Sequence, residues 1–234
     1  VIPSKPLEPS KDQKKALELI AKMLRGETPS HVLLLLGVTN SGKTEVYLQA
    51  IAMALALGKS AIVLVPEISL TPQMLSQLRA RFGRNAAIMH SGLSAGEKFD
   101  EWWRLRTGEA KIAIGARSAV FTPLENLGVI IIDEEHETSY KQGSSPRYHA
   151  RELAAEKHDS SYSSETAPRY NTFDVAYLRA KYNGCKLVLG SATPAVDTYK
   201  RAIDGEFGLI RLEKRINRKP LPEIVIADMR REVR

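Results

Sequence analysis

The sequence predicts an α/β domain in which helices cover both faces of a mostly parallel β-sheet. Its apolar runs are continuous rather than alternating, as in strands that are buried on both faces. Helical patterns lie between these runs, and alternating strands and helices build parallel sheets with right-handed crossovers. Polar motifs directly follow several of the runs, at the ends of strands where ligands bind in such sheets.

The predicted strands are short runs rich in Val, Ile and Leu, and they lie at His31–Leu36, Ala61–Val65, Ala86–Met89, Lys111–Ile114, Val129–Ile132, Lys186–Leu189, Phe207–Leu212 and Glu223–Ala227. The predicted helices are Lys43–Leu57, Pro72–Phe82, Ser94–Arg106 and Phe173–Lys181. The first of these helices has an apolar face made of Val46, Tyr47, Ala50, Ile51, Ala54 and Leu55. Ser94 and Glu97 have the spacing of a capping box, which predicts where the third helix begins.

Length and composition limit the class of protein. The 234 residues are enough for one large domain, and 26% charged residues argue against a disordered chain. Lys and Arg number 34 against 27 Asp and Glu, so the net charge of +7 fits a nucleic-acid partner without proving one. We expect residues 1–213 to form the domain, and we interpret the basic, proline-containing stretch Lys214–Pro222 as a linker within 214–234.

Cysteine content and apolar runs exclude other classes. The single Cys185 cannot form an intramolecular disulfide framework or a cysteine-rich zinc site, and it fits a reducing compartment. Apolar runs such as Val32–Leu36 are far too short to span a bilayer, so we expect no membrane partner. The chain starts with Val1 and has no signal-peptide pattern, and we expect it to be a piece of a longer protein.

The long interval between the strands ending at Asp133 and starting at Lys186 contains an internal repeat. Three pairs of matching segments are each offset by 22 residues: 136–140 with 158–162, 146–148 with 168–170, and 152–154 with 174–176. We interpret this as a tandem duplication of residues 134–155 into 156–177, and chance similarity is the alternative. Two units are too few for a solenoid.

The strongest motif is the glycine-rich segment 37–44, which matches G-x-x-x-x-G-K-[ST] between a predicted strand and a predicted helix. Its backbone N–H groups would surround phosphate oxygens, while Lys43 would reach the β- and γ-phosphates and Thr44 would bind Mg²⁺. The predicted nucleotide-binding residues are Gly37, Thr39, Asn40, Ser41, Gly42, Lys43 and Thr44. The alternative is a glycine-rich turn that happens to precede Lys-Thr.

Two further motifs follow strands. At the end of the first, Asp133 can hold Mg²⁺, and Glu134 can orient or deprotonate an attacking water; the alternative is a merely solvated acidic strand end. In the second, Gly190-Ser-Ala-Thr-Pro194, the hydroxyls of Ser191 and Thr193 can sense the acidic cluster or the γ-phosphate. The alternative for this motif is a polar N-cap of a helix.

Together these motifs, in this order, resemble the first motor lobe of the superfamily-two helicases and translocases. A finer resemblance, to the bacterial replication-restart helicases of the primosome, runs from about Pro9 to Arg230 and is carried by segments 37–47, 65–71, 90–92, 115–121, 133–137, 146–151 and 189–194. It implies a RecA-like fold, ATP and Mg²⁺ as ligands, 3′–5′ translocation on single-stranded or forked DNA, and a role in primosome assembly. It also implies a bacterial cytoplasmic, nucleoid-associated protein whose full-length form meets other replication-restart proteins and the single-stranded-DNA-binding protein.

The resemblance also implies roles for residues outside the phosphate loop. Gln13 would read the adenine edge, although a plain helix start is the alternative, and His136 would join Ser191 and Thr193 in coupling. Motifs at strand ends would contact DNA through Glu67, Thr71, Ser91, Arg117 and Ser118. An aromatic-rich loop would couple DNA binding to hydrolysis through Tyr140, Arg147, Tyr148, His149 and Arg151. In the alternative interpretation Tyr148 is a core residue and Arg151 a surface charge on a helix.

This sequence departs from the family in two places. Asn40 stands where the family commonly has Gly, and Asn tolerates a positive φ, so we expect phosphate binding to survive. The family has one aromatic-rich loop and this chain has two, the second with Phe173 in place of Arg151 and Lys157 in place of Glu135. We expect the acidic motif to stay attached to the first copy and one copy to bulge out.

The resemblance covers only one motor lobe. The second lobe with its arginine finger, the DNA-binding domain and the cysteine-rich zinc module lie outside it, so we expect weak Mg·ATP binding and poor hydrolysis by this chain alone, and no zinc. Three alternative interpretations stay open. The chain could be a motor lobe of another superfamily-two translocase, such as a restriction-enzyme motor subunit. It could also be a degenerate non-hydrolysing interaction domain or a small-molecule P-loop kinase.

Overall fold

A seven-stranded parallel sheet forms the centre of the computed structural model, which describes residues 6–38, 40–66, 72–136 and 171–213. Every described strand pairing is parallel, and the order is β3-β4-β2-β5-β6-β1-β7. The strands are β1 (Val32–Gly37), β2 (Ser60–Leu64), β3 (Ala86–Met89), β4 (Ile112–Gly115), β5 (Leu127–Asp133), β6 (Lys186–Ser191) and β7 (Gly208–Leu212). The predicted parallel sheet is therefore confirmed.

Six α-helices lie in the described ranges, at α1 (Lys11–Arg25), α2 (Lys43–Ala56), α3 (Pro72–Phe82), α4 (Ala95–Arg106), α5 (Thr172–Asn183) and α6 (Val196–Ile203). Two short 3₁₀ helices also lie in the described ranges, Gly83–Asn85 after α3 and Arg117–Phe121 after β4. None of the described helices combines the length and the apolar character that a bilayer span needs.

Apolar cores lie on both faces of the sheet, which explains why the strands read as continuous apolar runs. Leu33 and Leu35 of β1 face the core formed with α1, α2 and α3. Val32 and Leu34, at the alternate positions, face the core that includes residues of α4, α5 and α6. Since successive side chains of a strand point to opposite faces, a strand between two cores must be apolar at every position.

The sequence predictions agree with the observed bounds of the described elements to within about two residues. The predicted capping box is present, because the Ser94 hydroxyl accepts from the Glu97 N–H at 3.3 Å and Glu97 Oε2 accepts from the Ser94 N–H at 2.9 Å. The bounds of α1 and α6 were not predicted. The start of α1 is marked by a second capping box, Ser10 with Gln13, whereas α6 begins after Ala195 with no side-chain cap.

Part of the predicted duplication falls within the described ranges. Residues 134–136 follow β5, and residues 172–177 form the first half of α5, where Thr172, Val175 and Ala176 are buried. Residues 137–170 of the two units lie outside the described residues, as do Lys214–Pro222 and Glu223–Ala227.

Cys185 precedes β6 and is completely buried. Burial is the main reason that the pKa of its thiol is raised from 9.0 to about 12. The side chain therefore acts as a small apolar group of the core.

Candidate active site

Three motifs meet at the carboxyl edge of the sheet. Because all described strands are parallel, their carboxyl ends lie at the same edge, and β5, β6 and β1 are neighbours there. The phosphate loop follows β1, the acidic motif follows β5, and Ser191 ends β6. The strand order therefore brings together segments that are far apart in the sequence.

The backbone of the phosphate loop has the positive φ angles that such a loop needs. Asn40 has φ of 63° and Gly42 has φ of 89°, and α2 begins at the next residue, Lys43. The expected tolerance of Asn40 for this conformation is confirmed. Gly42 is the N-cap and has no side chain, so it leaves the first N–H groups of α2 available to an anion.

Ser41 lies under this loop with a buried hydroxyl. Among the described residues, its Oγ is the one buried side-chain polar atom without a hydrogen-bond partner. A Cβ on Gly37 would come within 2.4 Å of that oxygen, so the glycine provides the space in which Ser41 packs. An unpaired buried hydroxyl beside a phosphate loop fits a site that is completed by a ligand.

Lys43 occupies the point between the phosphate loop and the acidic motif. Its Nζ donates to the carbonyl oxygen of Gly37 at 2.7 Å and lies 3.2 Å from Oε1 of Glu134. The Lys43 side chain is buried, so this ion pair is shielded from solvent on the lysine side. A phosphate arriving at Lys43 would compete with the Glu134 carboxylate for the same ammonium group.

Asp133 is held by a side chain that the sequence analysis assigned only to an apolar helix face. The hydroxyl of Tyr47 donates to Oδ1 of Asp133 at 2.8 Å. Burial raises the pKa of the Asp133 carboxyl above its ordinary value, and the hydrogen bond from Tyr47 opposes that shift. Tyr47 is one helical turn after Lys43, so the two side chains lie on the same side of α2.

Glu134 has an unusual backbone. Its φ is 47°, in the left-handed region that non-glycine residues seldom adopt. In this conformation its carboxylate faces both Lys43 and His136, with Oε2 at 3.8 Å from His136 Nδ1. Such strain is typical of functional positions that the surrounding structure holds in place.

The acidic motif also contacts the end of β6 and the residues that follow it through two side chains. His136 Nδ1 lies 2.9 Å from Ser191 Oγ, and its Nε2 lies 3.2 Å from Thr193 Oγ1. The three predicted coupling side chains therefore form one hydrogen-bonded group. The alternative, in which these hydroxyls cap a helix, does not describe this arrangement, because α6 has no side-chain cap.

Glu135 forms the second contact, and no signal in the sequence singled it out. Its carboxylate accepts the N–H of Ala195 at 2.7 Å and the hydroxyl of Thr198 at 3.3 Å. The side chain is buried, and this burial raises the pKa of its carboxyl. Glu135 thus ties the start of α6 to the acidic motif.

Gln13 lies at the start of α1 and also contacts the phosphate loop. It completes the capping box of α1, accepting the N–H of Ser10 at 2.7 Å through Oε1. Its Nε2 donates to the carbonyl oxygen of Gly42 at 3.1 Å, so it also touches the phosphate loop. Recognition of adenine by Gln13 remains a prediction.

The residues present fit Mg²⁺. Thr44 is at the start of α2 and Asp133 at the end of β5, which supplies hydroxyl and carboxylate oxygens, the ligands that Mg²⁺ prefers. No group of three or more His, Cys, Asp or Glu residues clusters as a metal site within the described part of the chain. At nucleotide sites Mg²⁺ usually takes its other ligands from phosphate and water.

The other half of the carboxyl edge carries some of the predicted DNA contacts. Ser91 follows β3 and is exposed, while Arg117 and Ser118 open the 3₁₀ helix after β4. The remaining predicted site residues lie outside the described residues: Thr39, Glu67, Thr71, Tyr140, Arg147, Tyr148, His149 and Arg151.

The sequence has close relatives among curated proteins. The family model described as DEAD/DEAH box helicase matches residues 10–202. Replication restart protein PriA of Bacillus subtilis is 48% identical over 231 residues, which is 99% of this chain and 26% of that protein. PriA of Synechocystis is 46% identical over 209 residues, 87% of this chain and 22% of that protein. The chain thus spans about a quarter of the length of the curated relatives it matches.

Solved structures with the same fold have more distant sequences. RecG bound to a three-way DNA junction superposes with a TM-score of 0.56 at 20% identity, covering 90% of this chain and 24% of that one. S. cerevisiae Dbp5 bound to RNA and ADP BeF3 gives a TM-score of 0.53 at 16% identity, covering 87% of this chain and 46% of that one. At this identity the likeness shows the fold, a RecA-like α/β domain.

Proposed function

Since this chain belongs to the DEAD/DEAH box helicase family, we propose that it is the ATP-binding motor lobe of a DNA helicase that restarts stalled replication forks. The observation that carries the proposal is the meeting of Lys43, Asp133 and Glu134 at the mouth of one phosphate loop. The similarity to the PriA replication restart proteins supports DNA, rather than RNA, as the nucleic acid along which it moves.

Each residue of the site has a chemical task in this proposal. The ammonium group of Lys43 leaves Glu134 and binds the β- and γ-phosphates, which neutralises charge that develops during phosphoryl transfer. The freed Glu134 carboxylate orients the attacking water and accepts its proton. Thr44 and Asp133 would hold Mg²⁺, whose positive charge stabilises the phosphate oxygens when it is bound.

The hydrogen-bonded group of His136, Ser191 and Thr193 gives the site a route to the rest of the lobe. His136 Nδ1 lies 3.8 Å from Glu134 Oε2, so we expect a movement of Glu134 away from Lys43 to shift the His136 ring. The ring contacts the hydroxyl of Ser191, at the end of β6, and that of Thr193, which follows it. We expect this contact to couple nucleotide state to the DNA-binding state.

DNA would bind along the other half of the same edge. Ser91, Arg117 and Ser118 lie after β3 and β4, and Glu67 and Thr71 follow β2 in the sequence. Hydroxyls and a guanidinium fit backbone contacts, which carry no base specificity. The full-length protein would translocate 3′–5′ on single-stranded DNA in the bacterial cytoplasm and meet replication-restart proteins and the single-stranded-DNA-binding protein.

The proposal is tested by nucleotide binding and turnover of the full 234-residue chain with and without single-stranded DNA. Lys43→Ala removes the phosphate-binding cation, and Lys22→Ala, an exposed lysine of α1, is the matched control. We expect Lys43→Ala to weaken binding of a fluorescent ADP analogue by roughly 10- to 150-fold, the effect of losing a charged hydrogen bond. Equal affinity in all three proteins would favour a non-hydrolysing interaction domain.

A further inference from the structure

Tyr47 reaches the acidic motif from the helix that starts at the phosphate loop. It lies in α2 with 2% of its surface exposed, and its hydroxyl donates to Oδ1 of Asp133 at 2.8 Å. Asp133 is on β5, so this hydrogen bond links two elements that are 86 residues apart in the sequence. A buried tyrosine hydroxyl needs a hydrogen-bond partner, and here a carboxylate of the acidic motif accepts from it.

The path of the phenol passes over Gly190. Gly190 is the residue of β6 that pairs with Asp133 in the sheet. A Cβ placed on Gly190 would lie 1.6 Å from the Tyr47 hydroxyl oxygen and 3.2 Å from Asp133 Oδ1. The missing side chain at this position therefore provides the opening through which Tyr47 reaches the carboxylate.

We propose that Tyr47 is a positioning residue for Mg²⁺, and that its hydroxyl holds the Asp133 carboxylate in the orientation that binds the ion. This inference rests on the proposed function. Carboxylates that bind metals are usually fixed by hydrogen bonds from neighbouring groups, and loss of such a group typically costs 10- to 100-fold in metal affinity. A hydrogen bond to a carboxylate is also among the stronger ones in proteins.

Tyr47 lies on the same helix as the other candidate Mg²⁺ ligand, Thr44. Thr44 and Tyr47 are three residues apart on α2, so they lie on the same side of that helix. Thr44 is a direct candidate ligand, and Tyr47 orients the other one, Asp133. Both ligands are thereby positioned relative to α2, the helix whose first turn receives the phosphates. A shift of α2 on nucleotide binding would carry the carboxylate with it.

The test is a Mg²⁺ titration of binding of a fluorescent ADP analogue to the full chain. Tyr47→Phe removes one oxygen and keeps the ring that packs in the core. Tyr199→Phe is the matched control, because it removes a hydroxyl that accepts from Arg211 at 2.7 Å on α6. We expect Tyr47→Phe to raise the half-saturating Mg²⁺ concentration by about tenfold or more and Tyr199→Phe to leave it unchanged.

Binding in EDTA separates a metal effect from a packing effect. If the hydroxyl acts through Mg²⁺, affinity without the ion stays at the wild-type level in Tyr47→Phe. A loss of equal size with and without Mg²⁺, or an unchanged Mg²⁺ titration, would overturn the inference. In an Asp133→Ala background, Tyr47→Phe should have no further effect on the Mg²⁺ titration, since the two residues act as one unit.

The wild-type titration distinguishes failure of this inference from failure of the proposed function. A wild-type chain whose nucleotide binding does not respond to Mg²⁺ overturns both. A wild-type chain that does respond, together with a Tyr47→Phe chain that behaves identically, overturns only the role of Tyr47.

Discussion

Lys43 and Glu134 are 91 residues apart in the sequence, and their side chains form an ion pair with 3.2 Å between Nζ and Oε1. The pair joins the cation that would bind phosphate to the carboxylate that would act on water. While this ion pair is intact, the Lys43 ammonium and the Glu134 carboxylate are bound to each other. The site must therefore exchange this contact for contacts with nucleotide before it can act.

Glu134→Gln should separate binding from turnover. It removes the charge that competes for Lys43, so we expect nucleotide affinity to rise by up to roughly fivefold, given about 1 kcal/mol for a partly exposed pair. If Glu134 is the general base, as proposed, ATP turnover should fall by about 10²- to 10⁴-fold. Titration with a fluorescent ADP analogue and a phosphate-release assay measure the two effects. The control is Glu18→Gln on α1, and weaker binding by Glu134→Gln would contradict the exchange of partners.

Asp133→Asn should stabilise the fold in a pH-dependent way. Burial raises the pKa of Asp133 above its ordinary 3.8, so the unfolded chain loses this proton first as the pH rises. Ionisation of Asp133 therefore lowers the free energy of unfolding at neutral pH, and this cost disappears as the pH falls to the ordinary value. We expect a higher Tm for Asp133→Asn at pH 7.5, at about 2–4 °C per kcal/mol, and a smaller difference in acid.

Thermal unfolding of Asp133→Asn at several pH values in metal-free buffer checks this prediction. Asp100→Asn, at an exposed position of α4, is the matched control and should leave Tm unchanged. A stabilisation of the same size at every pH would show that charge on Asp133 is not its cause.

Arg81 and Glu45 form a buried ion pair that should matter for stability. Their side chains are only 8% and 9% exposed, with 3.1 Å between Nη2 and Oε2, and Glu45 also accepts the N–H of Leu7. We expect Arg81→Met to lower the free energy of unfolding by about 3–5 kcal/mol, since it leaves a buried carboxylate without its cation. The double variant with Glu45→Met should recover part of this loss.

Urea unfolding measures these changes in the free energy of unfolding, provided that the m-value is the same for all variants. The control for Arg81→Met is Arg84→Met, because Arg84 pairs with Glu109 on the surface with its side chain 90% exposed. If Arg81→Met lowered the free energy of unfolding no more than Arg84→Met does, the buried pair would not stabilise the fold.

Deletion of residues 156–177 should leave folding and nucleotide binding intact. The deletion joins Ala155 to Leu178 and removes the first half of α5, but the 22-residue offset supplies a replacement. Ala150, Leu153 and Ala154 take the positions of the buried residues Thr172, Val175 and Ala176. We expect circular dichroism, Tm and the affinity for a fluorescent ADP analogue to stay close to those of the full chain.

A deletion shorter by one residue is the control for this experiment. Removing 157–177 shifts the replacement by one position, which rotates the helix face by about 100° and places Arg151 where Thr172 is buried. This control should unfold at a lower temperature. If both deletions abolished nucleotide binding, the second unit would not be a dispensable repeat.

Sequence reasoning was strongest where a local pattern determines the structure. The strands were predictable because β1 and its neighbours lie between two cores, and the phosphate loop because its residues are contiguous. The contacts of Tyr47 with Asp133 and of Glu135 with Ala195 were not, since each depends on which strands are neighbours in the sheet. The ion pair of Arg81 with Glu45 was not predictable either, because the two residues lie on different helices and no sequence pattern links them.

The burial of Cys185 has a practical consequence for following movement in this domain. It is the only cysteine of the chain, it is completely buried, and this burial raises the pKa of its thiol to about 12, which favours the protonated form. Maleimide dyes and spin labels react with thiolates, so they would pass over it. Cysteines introduced at exposed positions such as Lys22 and Glu109 can then carry probes in an otherwise native sequence, and distances between them can be recorded as nucleotide is added.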